Sequence, residues 1–197
     1  LAEPYAKRTV EGDLGIRFNA STILARVGVD RLAGALQRDF PAHAPNARHL
    51  GAYVEHISRD VGTTPEEPWH AAADAVLARA AVDLAIARHV GRRERIVAHG
   101  GEAWVHWGKD LRDVRTLIGT GGVFVHNPFA AYIVSHSAGR EDRVQVLRPR
   151  RPRPFFDSSY LLYAVGLLAD THAAAALQIF QKYVRSADDE QNGDRGA

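Results

Sequence analysis

Gly119-Thr120-Gly121-Gly122 is the stretch whose residue types and spacing best suit ligand chemistry. It follows an apolar run at 114–118 with the composition of a buried strand, and precedes 123–134, where apolar residues return at helical spacing. Glycines at the carboxyl end of a strand let the backbone approach a ligand with no Cβ in the way. The start of the next helix would offer amide donors to phosphate or ribose oxygens. A nucleotide suits such a turn, although a tight strand-to-helix connection needs glycines for its own geometry. Two better-defined phosphate motifs are not matched. A dinucleotide fingerprint would need glycine where Phe124 stands, and Gly108-Lys109 is followed by Asp110 rather than Ser or Thr.

Glu11-Gly12-Asp13-Leu14-Gly15 sets two carboxylates beside flexible positions, an arrangement that suits a Mg²⁺-bound water and equally a solvated turn. The ten histidines form no tight ligand pattern: His99 with His106, and His126 with His136, are scattered, so no metal site is expected. His89 sits where a helix end favours a histidine. Ser135-His136-Ser137 lacks a nucleophile-elbow context. Positive charge concentrates in Arg148-Pro149-Arg150-Arg151-Pro152-Arg153-Pro154, which reads as an extended, solvated connector. Tyr160, Tyr163, Phe180 and Tyr183 read as helix packing.

These groups need a scaffold, and the pattern predicts a mixed one. Residues 1–19 read as a loop, and three short helices follow over 20–60, parted near Gly28 and around 41–45. A longer alanine-rich helix is expected from a cap at Thr63, Thr64 and Pro65 to about Val90, with Arg79 and Asp83 as an ion pair. Short strands are expected at 96–98, 103–107, 114–118 and 144–147. Pro128 should open or kink the helix after the glycine turn. Asp157 is placed to cap a helix at 158–169, and Thr171 another, in which Ala173, Leu177, Phe180 and Val184 share a face. The polar residues 187–197 read as a disordered tail.

The composition fits a globular protein, with 197 residues, 46% hydrophobic and 24% charged, and a formal net charge of +2. So small a charge gives little steering onto nucleic acid. No run approaches the ~18 apolar residues of a membrane span. Without cysteine there is no disulfide, thiolate zinc site or cysteine nucleophile. A soluble, cytoplasmic protein is expected. The chain opens on Leu1 and contains no Met, as expected of a piece of a longer protein.

Taken together, Arg8-Thr9-Val10-Glu11-Gly12-Asp13-Leu14-Gly15, Arg88-His89-Val90-Gly91, Gly108-Lys109-Asp110-Leu111, Ile118-Gly119-Thr120-Gly121-Gly122, and Asp157-Ser158-Ser159-Tyr160-Leu161 through Gly166-Leu167-Leu168 resemble the glutamate mutase accessory family, GlmL or MutL. That family shares only a name with the mismatch-repair protein. The resemblance runs over about residues 3–186 in the same order. It implies an α/β fold, the ribonuclease-H-like second domain of an actin-like ATPase, with a large helical insertion at about 20–90 and C-terminal helices. It also implies that Gly119, Thr120, Gly121 and Gly122 contact adenosine, with Glu11, Gly12 and Asp13 in a loop near the nucleotide. The implied cofactor is ATP or ADP with Mg²⁺. The implied partners are an adenosylcobalamin-dependent mutase and an N-terminal half of the same protein, with neither nucleic acid nor membrane involved.

The superfamily's two phosphate-binding loops are absent from this sequence, and the family's second one stands just upstream of a segment like 4–15. Positioned phosphoryl chemistry needs those groups, so this chain alone is expected not to hydrolyse ATP at an enzyme-like rate. The implied function is the C-terminal nucleotide-binding portion of a reactivating chaperone for the mutase. A small-molecule kinase of the same superfamily and a non-catalytic interaction domain are the alternatives.

Overall fold

The computed structural model of the chain describes residues 9–98, 101–135 and 145–193. Three helices, α1 (Ala20–Val27), α2 (Val29–Asp39) and α3 (Ala47–Arg59), open the fold. Gly28 parts the first two with φ of +90°, a left-handed geometry that favours glycine, and Pro41–His43 forms a single 3-10 turn before α3. Asn46 caps α3, its Oδ1 accepting the His49 N–H at 2.9 Å.

The long helix α4 (Pro68–His89) begins with Pro68 in its first turn, later than the cap expected at Thr63 to Pro65. His70 Nδ1 accepts the Glu67 N–H at 3.3 Å and fixes that start. Residues Ala71 to Ala78 of α4 are all buried, because small alanines let α1, α2 and α6 (Ala130–Ser135) approach on different sides. Ile23, Leu36, Leu50, Val54, Ile57 and Leu77 are fully or almost fully buried and form the centre of this helical core.

After Gly91 the chain forms the antiparallel hairpin β1 (Arg92–Ala98) and β2 (Gly101–Trp107). A second sheet has the order β3-β4-β5: β3 (Thr116–Gly119) runs parallel to β4 (Arg153–Asp157), and β5 (Val184–Ser186) is antiparallel to β4. The expected strand at 144–147 is reduced to an isolated bridge from Val146 to Arg92, and Val144 lies outside the described residues.

The helix expected at 123–134 is two, α5 (Gly122–His126) and α6, because Pro128 interrupts it. Asn127 secures the break: its Nδ2 donates to Ala71 O at 2.8 Å, and its Oδ1 accepts the Phe129 N–H at 2.8 Å. The expected connector at 148–154 ends inside β4, the central strand, so its last residues are paired.

Helix α7 (Leu162–Ala169) and α8 (Ala173–Tyr183) form a hairpin, and no residue of α7 is buried. Leu177 is 55% exposed and Val184 belongs to β5, so the expected single packed face is not formed; Ala176 is buried in α8 instead. Where the sequence suggests a disordered tail over 187–197, Ala187–Gly193 forms α9, and 194–197 lie outside the described residues. Ala187 is fully buried in the main core, and Asp188, Asp189 and Glu190 complement the positive end of the helix. Among the described residues no helix is long and apolar enough to cross a membrane.

Candidate functional site

Strands β3 and β4 are parallel, so their carboxyl ends share one edge of the sheet, the place where ligands meet open α/β sheets. Gly119 ends β3, and a Cβ there would stand 2.3 Å from the Phe124 ring, so this glycine makes room for packing. Gly121 has φ of +120°, and a Cβ placed on it would have nothing within 4 Å. One glycine is therefore filled from within, while the next faces open space. Gly122 starts α5, which is only five residues long, so the strong helix dipole expected behind the turn is not present.

Asp157 ends β4 and locks the turn. Its carboxylate accepts N–H groups of Ser159 at 3.2 Å, Leu161 at 3.1 Å and Leu162 at 2.8 Å, and the Thr120 hydroxyl at 3.1 Å. Complete burial of the residue pushes this carboxyl up, but the three N–H groups and Thr120 more than offset it, and the pKa lies below the ordinary value. With those bonds Asp157 is a fixed anion that joins the glycine turn to the start of α7. The expected cap at Asp157 is thus present, though the helix it leads into begins at Leu162. Sequence reasoning missed the link to Thr120, since nothing periodic connects residues 37 positions apart.

Glu11 and Asp13 are held elsewhere. Arg88, in the last turn of α4, donates to both: Nη1 to Glu11 Oε2, Nη1 to Asp13 Oδ1 at 2.7 Å, and Nη2 to Asp13 Oδ2 at 2.8 Å. Arg26 adds a contact to Asp13 at 3.1 Å. The Arg88 hydrogen bonds hold the Asp13 carboxyl at about 2, well below its ordinary value. Gly12 O accepts Asn19 Nδ2 at 2.7 Å. Beneath this loop, Arg17 pairs both nitrogens with buried Asp74 at 3.1 and 2.7 Å, and Tyr53 donates to Asp74 at 2.9 Å. Among the described residues no hydrogen bond or ion pair joins the Glu11–Asp13 loop to the glycine turn. Both carboxylates are engaged by guanidinium groups, so as they stand they do not fit a Mg²⁺ site.

Arg79 and Asp83 do not pair as expected, because each reaches a partner outside α4. Arg79 donates to Asp39 at 2.9 Å and to the Tyr132 hydroxyl at 2.6 Å, while Asp83 accepts Arg148 at 3.2 Å. Arg148 therefore anchors the Arg/Pro run to α4. Tyr160 and Tyr163 pack edge-to-face on each other with ring centroids 5.9 Å apart, but at 55% and 65% exposed they do so on the surface rather than in the core. His99, His136 and Ser137 lie outside the described residues, and among those described no group of three or more His, Asp or Glu is placed to hold a metal.

The family model described as MutL protein matches residues 1–184. Protein MutL of Clostridium tetanomorphum is 35% identical over 186 residues, which cover 93% of this chain and 38% of that protein. The chain thus spans less than two fifths of that relative's length. No solved structure matches.

Proposed function

The chain belongs to the MutL protein family, and from that premise we propose that it is the nucleotide-binding C-terminal portion of an actin-like ATPase that reactivates an adenosylcobalamin-dependent mutase of the glutamate mutase type. In this reading residues 1–186 belong to one actin-like domain. The helical body of α1 to α4 is its insertion, and the rest of a full-length protein supplies both phosphate-binding loops. ATP binding and hydrolysis by that whole protein would drive a two-state domain movement that frees damaged cobalamin from the mutase.

The observation that carries the reading is the Gly119–Gly122 turn: it lies at the carboxyl edge of two parallel strands, is tied down by Asp157, and is open at Gly121. That open side fits the flat face of an adenosine, with Gly119, Thr120, Gly121 and Gly122 as its contacts. The Glu11-Gly12-Asp13 loop, held by Arg88, stands second in this reading as a loop near the nucleotide. The phosphates and Mg²⁺ need groups from outside this chain, so no step is assigned to its own carboxylates.

Calorimetric titration of ATP and ADP, each with Mg²⁺, tests the reading in this chain and in a full-length family member containing it. Tight binding to the longer protein, with weak adenine-dependent binding to this chain, is the expected result. Absence of heat from both would return the glycine turn to a purely structural role and leave an interaction domain as the better account. Transfer of phosphate to a metabolite by the longer protein would favour a small-molecule kinase.

A further inference from the structure

We propose that the cleft bounded by α5, β4 and the end of α8 with β5 binds a small molecule that joins an anionic group to an apolar body. The cleft holds about 500 Å³, within the ~300–1,000 Å³ range of small-molecule sites. Phe124, Val125, Pro128, Ala130 and Phe156 give it an apolar lining. Ser159, Lys182, Tyr183, Arg185 and Glu190 also line it. None of Gly119, Thr120, Gly121, Gly122, Glu11 or Asp13 lines it, so this site is independent of the nucleotide reading.

The hydrogen-bond inventory of the lining selects the ligand. The acceptors are already engaged: Glu190 pairs with Arg185 at 3.3 Å, and the Asn127 amide is used on both sides, by Ala71 and Phe129. Ser158 spends its proton on Tyr183 O at 2.9 Å. What is left over is one cation and two hydroxyls. Among the described residues the Lys182 ammonium has no carboxylate partner, lying instead 5.1 Å from the Tyr183 ring centroid, and neither the Ser159 nor the Tyr183 hydroxyl has a hydrogen-bond partner. With Arg185 and Glu190 cancelling, Lys182 leaves the cleft one positive charge. A cation and two hydroxyls in a cleft with apolar lining match an anion with an apolar body better than a neutral or cationic one, because only the anion gains the charge-assisted bond to Lys182.

The test is an NMR titration of the ¹⁵N-labelled chain with phenyl phosphate, phenylacetate, neutral 2-phenylethanol and inorganic phosphate. Saturable shifts are expected at Ser159 and from Lys182 to Arg185 with at least one aryl anion. The neutral alcohol and inorganic phosphate should each bind at least tenfold more weakly, and whichever aryl anion binds more tightly names the head group. Lys182 is exposed, so Lys182→Gln should fold and weaken the aryl anion by roughly three- to tenfold while leaving the alcohol unchanged. Equal binding of alcohol and anions overturns the proposal, as do shifts confined to α7 and the first two turns of α8, an unaffected Lys182→Gln, or no saturable shifts.

Discussion

The Thr120 hydroxyl donates to Asp157 Oδ2 across 3.1 Å, tying the glycine turn to a carboxylate that also holds the start of α7. Removing Asp157 would leave three part-buried N–H groups without their acceptor. Asp157→Ala should cost about 3 kcal/mol, and Thr120→Val, which removes one donor, about 1 kcal/mol or less. Urea unfolding of the two single variants and the double variant should show non-additivity, since Asp157→Ala already deletes the acceptor. Strict additivity would mean that the two residues do not communicate.

Glycines that look alike in the sequence should respond differently to a methyl group. At Gly91 a Cβ would stand 2.3 Å from Trp107 O, 2.7 Å from Gly108 C and 2.8 Å from Lys109 O, all backbone atoms. Gly91→Ala should therefore destabilise by at least about 2 kcal/mol, measured as a lower urea midpoint. Gly121→Ala meets no neighbour but forces φ of +120° on an L-residue, a strain of about 1–2 kcal/mol. In a full-length protein Gly121→Val should abolish adenosine contact while the fold persists. Unchanged ATP affinity there would contradict the assignment of the turn.

Asp13 should titrate at about 2 because the Arg88 guanidinium holds its charged form. A carboxyl depressed in the folded state stabilises the fold above its ordinary pKa, and that contribution disappears as pH falls from near 4 toward 2. In Arg88→Met the midpoint, followed through the Asp13 side-chain carboxyl carbon, should climb toward the ordinary 3.8. A midpoint that stays at about 2 would assign the shift to Arg26 instead.

This chain alone, given ATP and Mg²⁺, should release phosphate no faster than the same chain after heat unfolding. The expectation rests on the split-site reading proposed above, in which the phosphate-binding loops come from outside this chain. Enzyme-like turnover would place the phosphate groups within these 197 residues and overturn the split-site reading.

What the sequence made legible follows how local each signal is. Gly28 and Pro41 act on their own backbone, and the first three helices lie where those residues put them. Pro65 and Pro68 offer competing starts for α4, and only the contact of Glu67 with His70 decides between them. Strand β4 escaped notice because Pro154 argues against a central strand. The Arg153 N–H donates toward β3, to Arg115 O at 2.9 Å, so the next nitrogen faces the β5 side. There β5 pairs only with Phe155, Phe156 and Asp157, so no ladder bond is lost at Pro154. Within the candidate site, the glycine turn was legible from composition. The Thr120–Asp157 bond, the Arg88 clamp and the cleft lined by Lys182 are products of tertiary placement.

The burial of α4 on every side has a consequence for how the molecule breathes. From Ala71 to Ala78 the helix presents no face to water, and α1, α2 and α6 all lean on it. Its amides have no route to solvent that leaves those neighbours in place, so they should exchange hydrogen only through global unfolding. The β1–β2 hairpin is a two-stranded ribbon whose Val97 is 82% exposed, so it can open by itself. Protection should therefore fall in two tiers, with the slowest tier centred on alanines that carry almost no side chain.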